Sequence, residues 1–155
     1  MSIDFKGRVA IVTGAGGGLG RQHALALAKR GAKVLVNDLG GTVSGTGGSP
    51  VAAQAVVDEI KAAGGEAIAN GASVTDYAAV QAMVQQAVDA WGRVDILVNN
   101  AGITRDKFFP KMEKGQWDAV ISTNLNSLFN VTHHVSAKMA ERGWGRIINI
   151  SSVNG

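Results

Sequence analysis

Three features of this 155-residue sequence predict an α/β fold, a doubly wound parallel sheet with helices on both faces. Short runs rich in Val and Ile alternate with longer stretches of helical periodicity along the whole chain. The short runs lack polar alternation, as expected of strands covered on both faces. Glycines stand where the helical stretches end, so each strand–helix unit closes and the next begins.

The elements follow in order. Arg8–Thr13 is the first predicted strand, and a helix over Gly18–Arg30 stops at Gly31. Lys33–Asn37 is the second strand. The stretch Gly40–Gly48, rich in Gly, Thr and Ser, reads as a flexible surface connection. Ser49 can cap the next helix, with Pro50 at its first position and Gly64-Gly65 at its end. Glu66–Asn70 is a weaker third strand. Thr75 or Asp76 opens a third helix, on which Tyr77, Val80, Val84, Ala87 or Val88, and Trp91 recur at helical spacing until Gly92. Val94–Val98 is the fourth strand. A long helix, about Asn124–Arg142, places Leu125, Leu128, Thr132, Val135 and Met139 on one face. Arg146–Ile150 is the fifth strand.

Composition bounds the function classes. The chain is 46% hydrophobic, 17% charged and 5% aromatic, as a globular chain is, and its length suits one domain with a real core. It has no cysteine, which removes disulfides and thiolate metal sites and fits a reducing cytoplasm, the expected location. No apolar run reaches the roughly 18 residues of a membrane span, and Met1–Lys6 opens no signal peptide. The net charge of +3 is spread over scattered lysines and arginines, which argues against nucleic acid as a partner.

The most telling stretch is Thr13-Gly14-Ala15-Gly16-Gly17-Gly18-Leu19-Gly20, directly after the first strand. A tight turn without Cβ atoms, opening a helix whose first N–H groups are free, suits a dinucleotide pyrophosphate. A simple strand–helix turn can also carry such glycines. Asp38 ends the second strand, roughly twenty residues after the glycine turn, where a ribose-binding carboxylate belongs. A 2′-phosphate there would meet a like charge, so Asp38 favours NAD(H), with NADP(H) as the alternative cofactor. Its other reading is a loop-start or capping Asp. Asn99-Asn100-Ala101-Gly102 ends the fourth strand with small residues that let a flat ring lie close, or else forms an ordinary Asn-rich turn. Ser151 and Ser152 follow the fifth strand, at the rim where open α/β sheets place their chemistry. His133-His134 is not read as a metal site, because adjacent helix positions diverge and no third ligand stands at metal-site spacing. Trp91, Trp117 and Trp144 read as core or interface anchors.

Taken together, the glycine turn, Asp38, Asn99–Gly102, Asn124 and the strand-5 serines resemble the short-chain dehydrogenase/reductase family, in its classical branch. Thr13–Gly20 matches that family's TGxxxGxG and Asn99–Gly102 its NNAG, while Thr123-Asn124-Leu125 is similar to the segment holding its catalytic asparagine. The resemblance implies a Rossmann-type sheet, here with about five strands. It implies a cofactor set of Thr13, Gly14, Gly16, Gly18, Leu19, Gly20, Asp38, Ser73, Val74, Asn100, Ala101 and Gly102. Val36–Gly41 is similar to the (3R)-hydroxyacyl-CoA dehydrogenase part of peroxisomal multifunctional enzymes. Ala101–Asp106, Trp117–Val120 and Gly143–Gly155 are similar to bacterial acetoacetyl-CoA reductases. Both groups imply an acyl-CoA or ketone substrate and a homo-oligomer.

The resemblance also implies roles. Ser152, or Ser151 if the register is off by one, would polarise the substrate oxygen, and Asn124 would hold a water of the proton relay. The family's acid/base is a Tyr in a Tyr-x-x-x-Lys pair that follows the strand-5 Ser, and this sequence stops at Gly155 ahead of it. Its one tyrosine, Tyr77, lies in the third helix and is followed by Gln81 where the Lys should be. The expectation is a family member cut short, one that holds its cofactor, reduces ketones feebly and leaves the fifth strand as an open edge. A non-catalytic dinucleotide-binding module is the second reading. Arg105, Lys107, Lys111 and Lys114 either meet CoA phosphates or form a solvated charged loop.

Overall fold

In the computed structural model, residues 3–40 and 51–152 are described. The predicted Ser49 cap, Pro50 and nearly all of the Gly40–Gly48 connection lie outside them, as do the last three residues. Five parallel strands form one sheet in the order β3-β2-β1-β4-β5. They are β1 (Val9–Val12), β2 (Lys33–Asn37), β3 (Ala67–Asn70), β4 (Ile96–Asn99) and β5 (Arg146–Asn149). Helices α1 (Gly18–Lys29) and α2 (Val51–Ala62) serve one face, and α3 (Tyr77–Trp91) and α5 (Ser127–Glu141) the other. The doubly wound sheet expected from the apolar runs is therefore present.

Strand alternation explains the two cores. Ala10, Val12, Val34, Val36, Ile96 and Val98 point toward α1 and α2, where Ala24, Val56, Val57 and Ile60 meet them. Val9, Ile11, Leu35 and Leu97, one position out of step, point toward Val80, Met83, Val131 and Val135. Each fully buried Ile, Leu or Val contributes about 1.5–3 kcal/mol relative to exposure. Two-sided burial is why the strands read as unbroken apolar runs.

The helix after β4 departs from expectation. A helix α4 (Lys114–Ile121) precedes it, opened by a capping box in which Gln116 accepts the Glu113 N–H at 3.0 Å. A π turn over Ser122–Asn126 then joins α4 to α5. Five-residue closure shifts the phase, so the residues before Ser127 leave the buried face. The buried stripe is Ser127, Val131, Val135 and Met139, while Leu125 is 57% exposed. Leu125 is thus corrected off the face it was expected to share with Val135 and Met139, while Leu128 and Thr132 stay half-buried, and Thr132 accepts from Asn99 at 3.3 Å.

One charge fastens the lower rim of the sheet. Asp95, fully buried, accepts the Val9 N–H at 2.9 Å and a two-pronged contact from Arg93, with Arg8 at 3.5 Å. Burial pushes its pKa up, but the Arg93 hydrogen bonds, the Val9 N–H and the charges of Arg93 and Arg8 outweigh it, and the net shift is downward. Trp144, partly buried beside β5, has Arg8 over its ring at 3.8 Å and Arg146 at 4.9 Å.

Candidate functional site

The chain runs outward from β1 to β3 and then returns to the other side of β1 with β4. The crevice beyond the strand ends at this reversal is where open α/β sheets bind ligands. A cleft of about 680 Å³ lies there. Its walls include Gly14, Gly16, Gly18 and Leu19 of the glycine turn, Asp38 after β2, Ser73 and Val74 after β3, and Asn100–Gly102 after β4.

The glycine turn owes its shape to close approach. Gly14 has φ +61°, and a Cβ there would stand 2.8 Å from the Ala101 Cα. At Gly20 a Cβ would collide with the Gly14 carbonyl and the Asn100 side chain. Helix α1 begins at Gly18 without a side-chain cap, and its first intrahelical donor is the Arg21 N–H, bonded to the Gly17 carbonyl at 3.0 Å. The N–H groups of its first turn are thus left for an external acceptor.

Two predicted residues stabilise the site from behind. Thr13 is buried and absent from the cleft wall. Its Oγ1 accepts the Asn100 N–H at 3.1 Å and the Ala101 N–H at 3.0 Å, and lies 3.4 Å from the Val98 carbonyl. Asn100 donates both hydrogens of Nδ2, to the Thr13 and Gly14 carbonyls at 3.1 and 3.0 Å. The turns after β1 and β4 are locked to each other.

Asp38 combines its two readings. Its Oδ2 accepts the Gly16 N–H at 2.8 Å, and its Oδ1 accepts the Gly40 N–H at 2.6 Å, as a loop-start carboxylate does. It also faces the cleft, and each oxygen has a further lone pair. Ser73 lies 2.8 Å from the Thr75 hydroxyl, and the Val74 carbonyl accepts from Asn130 at 3.0 Å.

Asn124 sits in the π turn, a helical irregularity that often marks functional positions. Its carboxamide pairs with one backbone unit, accepting the Ile103 N–H at 2.8 Å and donating to the Ile103 carbonyl at 2.9 Å. Ser151 and Ser152 follow β5 on the same rim, exposed and outside the cleft wall. Of the four basic residues after β4, Arg105 lines the cleft, Lys107 and Lys111 are exposed, and Lys114 pairs with Asp118. Ile103, Ala119, Ser122 and Thr123 complete that wall, and sequence reasoning missed them. The Glu113/Gln116 spacing ahead of Trp117 could have revealed α4, and with it this wall.

Fold and cleft together define a doubly wound α/β protein whose glycine turn opens the first crossover helix at the point of strand reversal. The chain belongs to the short chain dehydrogenase family, whose sequence signature matches residues 8–155. It is 52% identical, over its whole length, to peroxisomal multifunctional enzyme A of Dictyostelium discoideum, of which it covers 34%. To acetoacetyl-CoA reductase of Cupriavidus necator it is 46% identical over 96% of the chain and 57% of that protein. A 7α-hydroxysteroid dehydrogenase solved with NADH and 7-oxo glycochenodeoxycholic acid superposes with a TM-score of 0.87 at 36% identity, over 96% of this chain and 55% of that one. The chain thus spans about a third and somewhat over half of the two curated relatives. Among the described residues, no helix is long and apolar enough to cross a membrane.

Proposed function

We propose that this chain is the cofactor-holding part of an NAD(H)-dependent oxidoreductase that interconverts 3-oxo and 3-hydroxy acyl-CoA. The observation that carries it is the cradle at Gly14 and Gly20, where a Cβ would collide with backbone, beside the open first turn of α1. Such a cradle fits a diphosphate. The family membership and the acetoacetyl-CoA reductase relative support the substrate class.

On this reading the first-turn amides of α1 hold the diphosphate, and Asp38 accepts the adenosine ribose hydroxyls through its remaining lone pairs. Leu19, Ser73 and Val74 wall the adenosine side, and Asn100, Ala101 and Gly102 the nicotinamide side. Thr13 and Gly20 fix the backbone that makes those contacts. When bound, the nicotinamide supplies or takes up a hydride. Ser152 polarises the substrate oxygen, with Ser151 as its fallback. Asn124 orients the Gly102–Ile103 backbone through its paired bonds, next to the relay water the family resemblance assigns to it.

No Tyr-x-x-x-Lys pair stands in these 155 residues. A missing general acid typically costs about 10²–10⁴-fold in rate, so this chain alone reduces ketones feebly. Titration with NADH and NADPH tests the cofactor reading. NADH binds more tightly, and Asp38→Ala removes that preference. A clear NADPH preference in the unaltered chain overturns the role of Asp38. In an NADH-oxidation assay with acetoacetyl-CoA, turnover approaching about 1 s⁻¹, an ordinary enzyme rate, contradicts the expectation of feeble reduction.

A further inference from the structure

We propose that Arg105 is a phosphate anchor on the β4 side of the cleft, gripping a phosphate ester of the ligand bound there. The inference rests on the reading of the cleft as a dinucleotide and acyl-CoA site, and it adds a contact that the glycine turn does not provide.

The cleft wall holds one carboxylate and one cation among the described residues, Asp38 and Arg105. They stand at opposite ends, because Asp38 follows β2 and Arg105 follows β4, with β1 between these strands. Both oxygens of Asp38 accept backbone N–H groups. Arg105 makes no hydrogen bond or ion pair within the described residues. Each of the six other arginines there holds a carboxylate or a backbone carbonyl.

A half-buried guanidinium gives up hydration, and none of the described residues returns a hydrogen bond for it at this position. Its planar fork of donors matches the oxygens of a phosphate, and a charge-assisted pair of this kind is among the stronger hydrogen bonds. Ser122 and Thr123 bring hydroxyl groups to the same wall, and Ile103 and Ala119 give it an apolar floor. Guanidinium, hydroxyls and floor together suit an anion carried on an organic chain. Two ligands of the proposed reaction bring such a phosphate, the diphosphate of the nicotinamide cofactor and the phosphates of CoA.

Calorimetric titration of the chain and of its Arg105→Gln variant separates the sources. NADH is titrated first. Acetoacetyl-CoA and the phosphate-free acetoacetyl-N-acetylcysteamine thioester are then titrated onto the NADH complex. The expected result is a loss of about ten- to a hundredfold in affinity for a phosphorylated ligand. If NADH weakens, the anchor serves the cofactor. If acetoacetyl-CoA weakens while the N-acetylcysteamine thioester is unchanged, it serves CoA. If the chain binds NADH but neither thioester, the NADH comparison alone decides. Arg105→Lys keeps the charge without the fork and recovers part of the loss, and it replaces Arg105→Gln should that variant fail to fold by circular dichroism. Equal affinity of variant and unaltered chain for every phosphorylated ligand, to within about twofold, overturns the anchor and leaves the dinucleotide site standing. Failure of the unaltered chain to bind NADH overturns both.

Discussion

Two pairs of asparagines end neighbouring strands of the same sheet, and they are completed differently. Asn37 and Asn70 face each other in the β2–β3 register, as Asn99 and Asn149 do between β4 and β5. In the first pair Asn37 donates to Asn70 at 3.0 Å and to the Ala72 carbonyl at 2.9 Å, and Asn70 reaches on to Gln86 at 2.8 Å. In the second, Asn99 donates to Asn149 at 2.9 Å, while its own Oδ1 is buried without a partner among the described residues. Burial follows the same division. β2 is buried along nearly all its length, whereas every residue of β5 is exposed. Among the described residues, the β1–β3 side closes its polar network on itself, and the β4–β5 side leaves an acceptor unmet.

The sharpest way to break this comparison is to cut what joins the two sides. Asp95→Ala removes the carboxylate that ties the start of β1 to β4 and leaves the buried Val9 N–H without its charged acceptor, with an expected loss of about 1.5–3 kcal/mol of stability, read from chemical denaturation. A change below about 1 kcal/mol would mean that the rim holds without it. The asparagine pairs come next. Asn37→Ala leaves the partly buried Ala72 carbonyl and Asn70 Oδ1 short of a donor and costs about 1–3 kcal/mol. Asn99→Ala also removes an acceptor that has no partner among the described residues, so it costs less. Equal losses, measured as shifts in denaturation midpoint, would erase the distinction.

Acid sharpens the same point. A carboxylate whose pKa is lower in the fold than in the open chain adds stability above its ordinary value, and that stability drains as pH falls through the folded value. Asp95 therefore weakens the rim below about pH 3.8, and Asp95→Ala shows no such loss in acid denaturation. The smallest effect concerns the contact between α3 and α5. Burial, then the charge of His133, hold the His134 pKa below 6.5, with the Tyr77 backbone opposing them. The open chain takes up a proton there before the fold does, so stability declines as pH drops below 6.5. Thermal melts of His134→Leu across that range should be flatter.

Much of this was legible in the sequence because it is local. Parallel strands buried on both faces announce themselves as apolar runs, and the glycine turn carries its own geometry in its residue types. The burial face of the long helix misled, because the π turn at Ser122–Asn126 changes phase in a way that no 3.6-residue spacing encodes. Thr13 matched a motif, yet its two accepted N–H groups come from residues on another strand, and only the register between β1 and β4 brings them near. The partners of Asn99 and Asp95 are set by pairing across the sheet in the same way. Arg105 stood among three lysines in the sequence, and the path of its loop alone sets it apart.

The Thr13 hydroxyl has a thermodynamic consequence. Together with the two Asn100 side-chain bonds, its accepted N–H groups join the turns after β1 and β4 before any ligand arrives. Little of the affinity for a guest is then spent on freezing loops. Thr13→Val keeps the volume but withdraws that oxygen from two N–H groups, so calorimetry should show association dearer in entropy, and the melting point should fall as well.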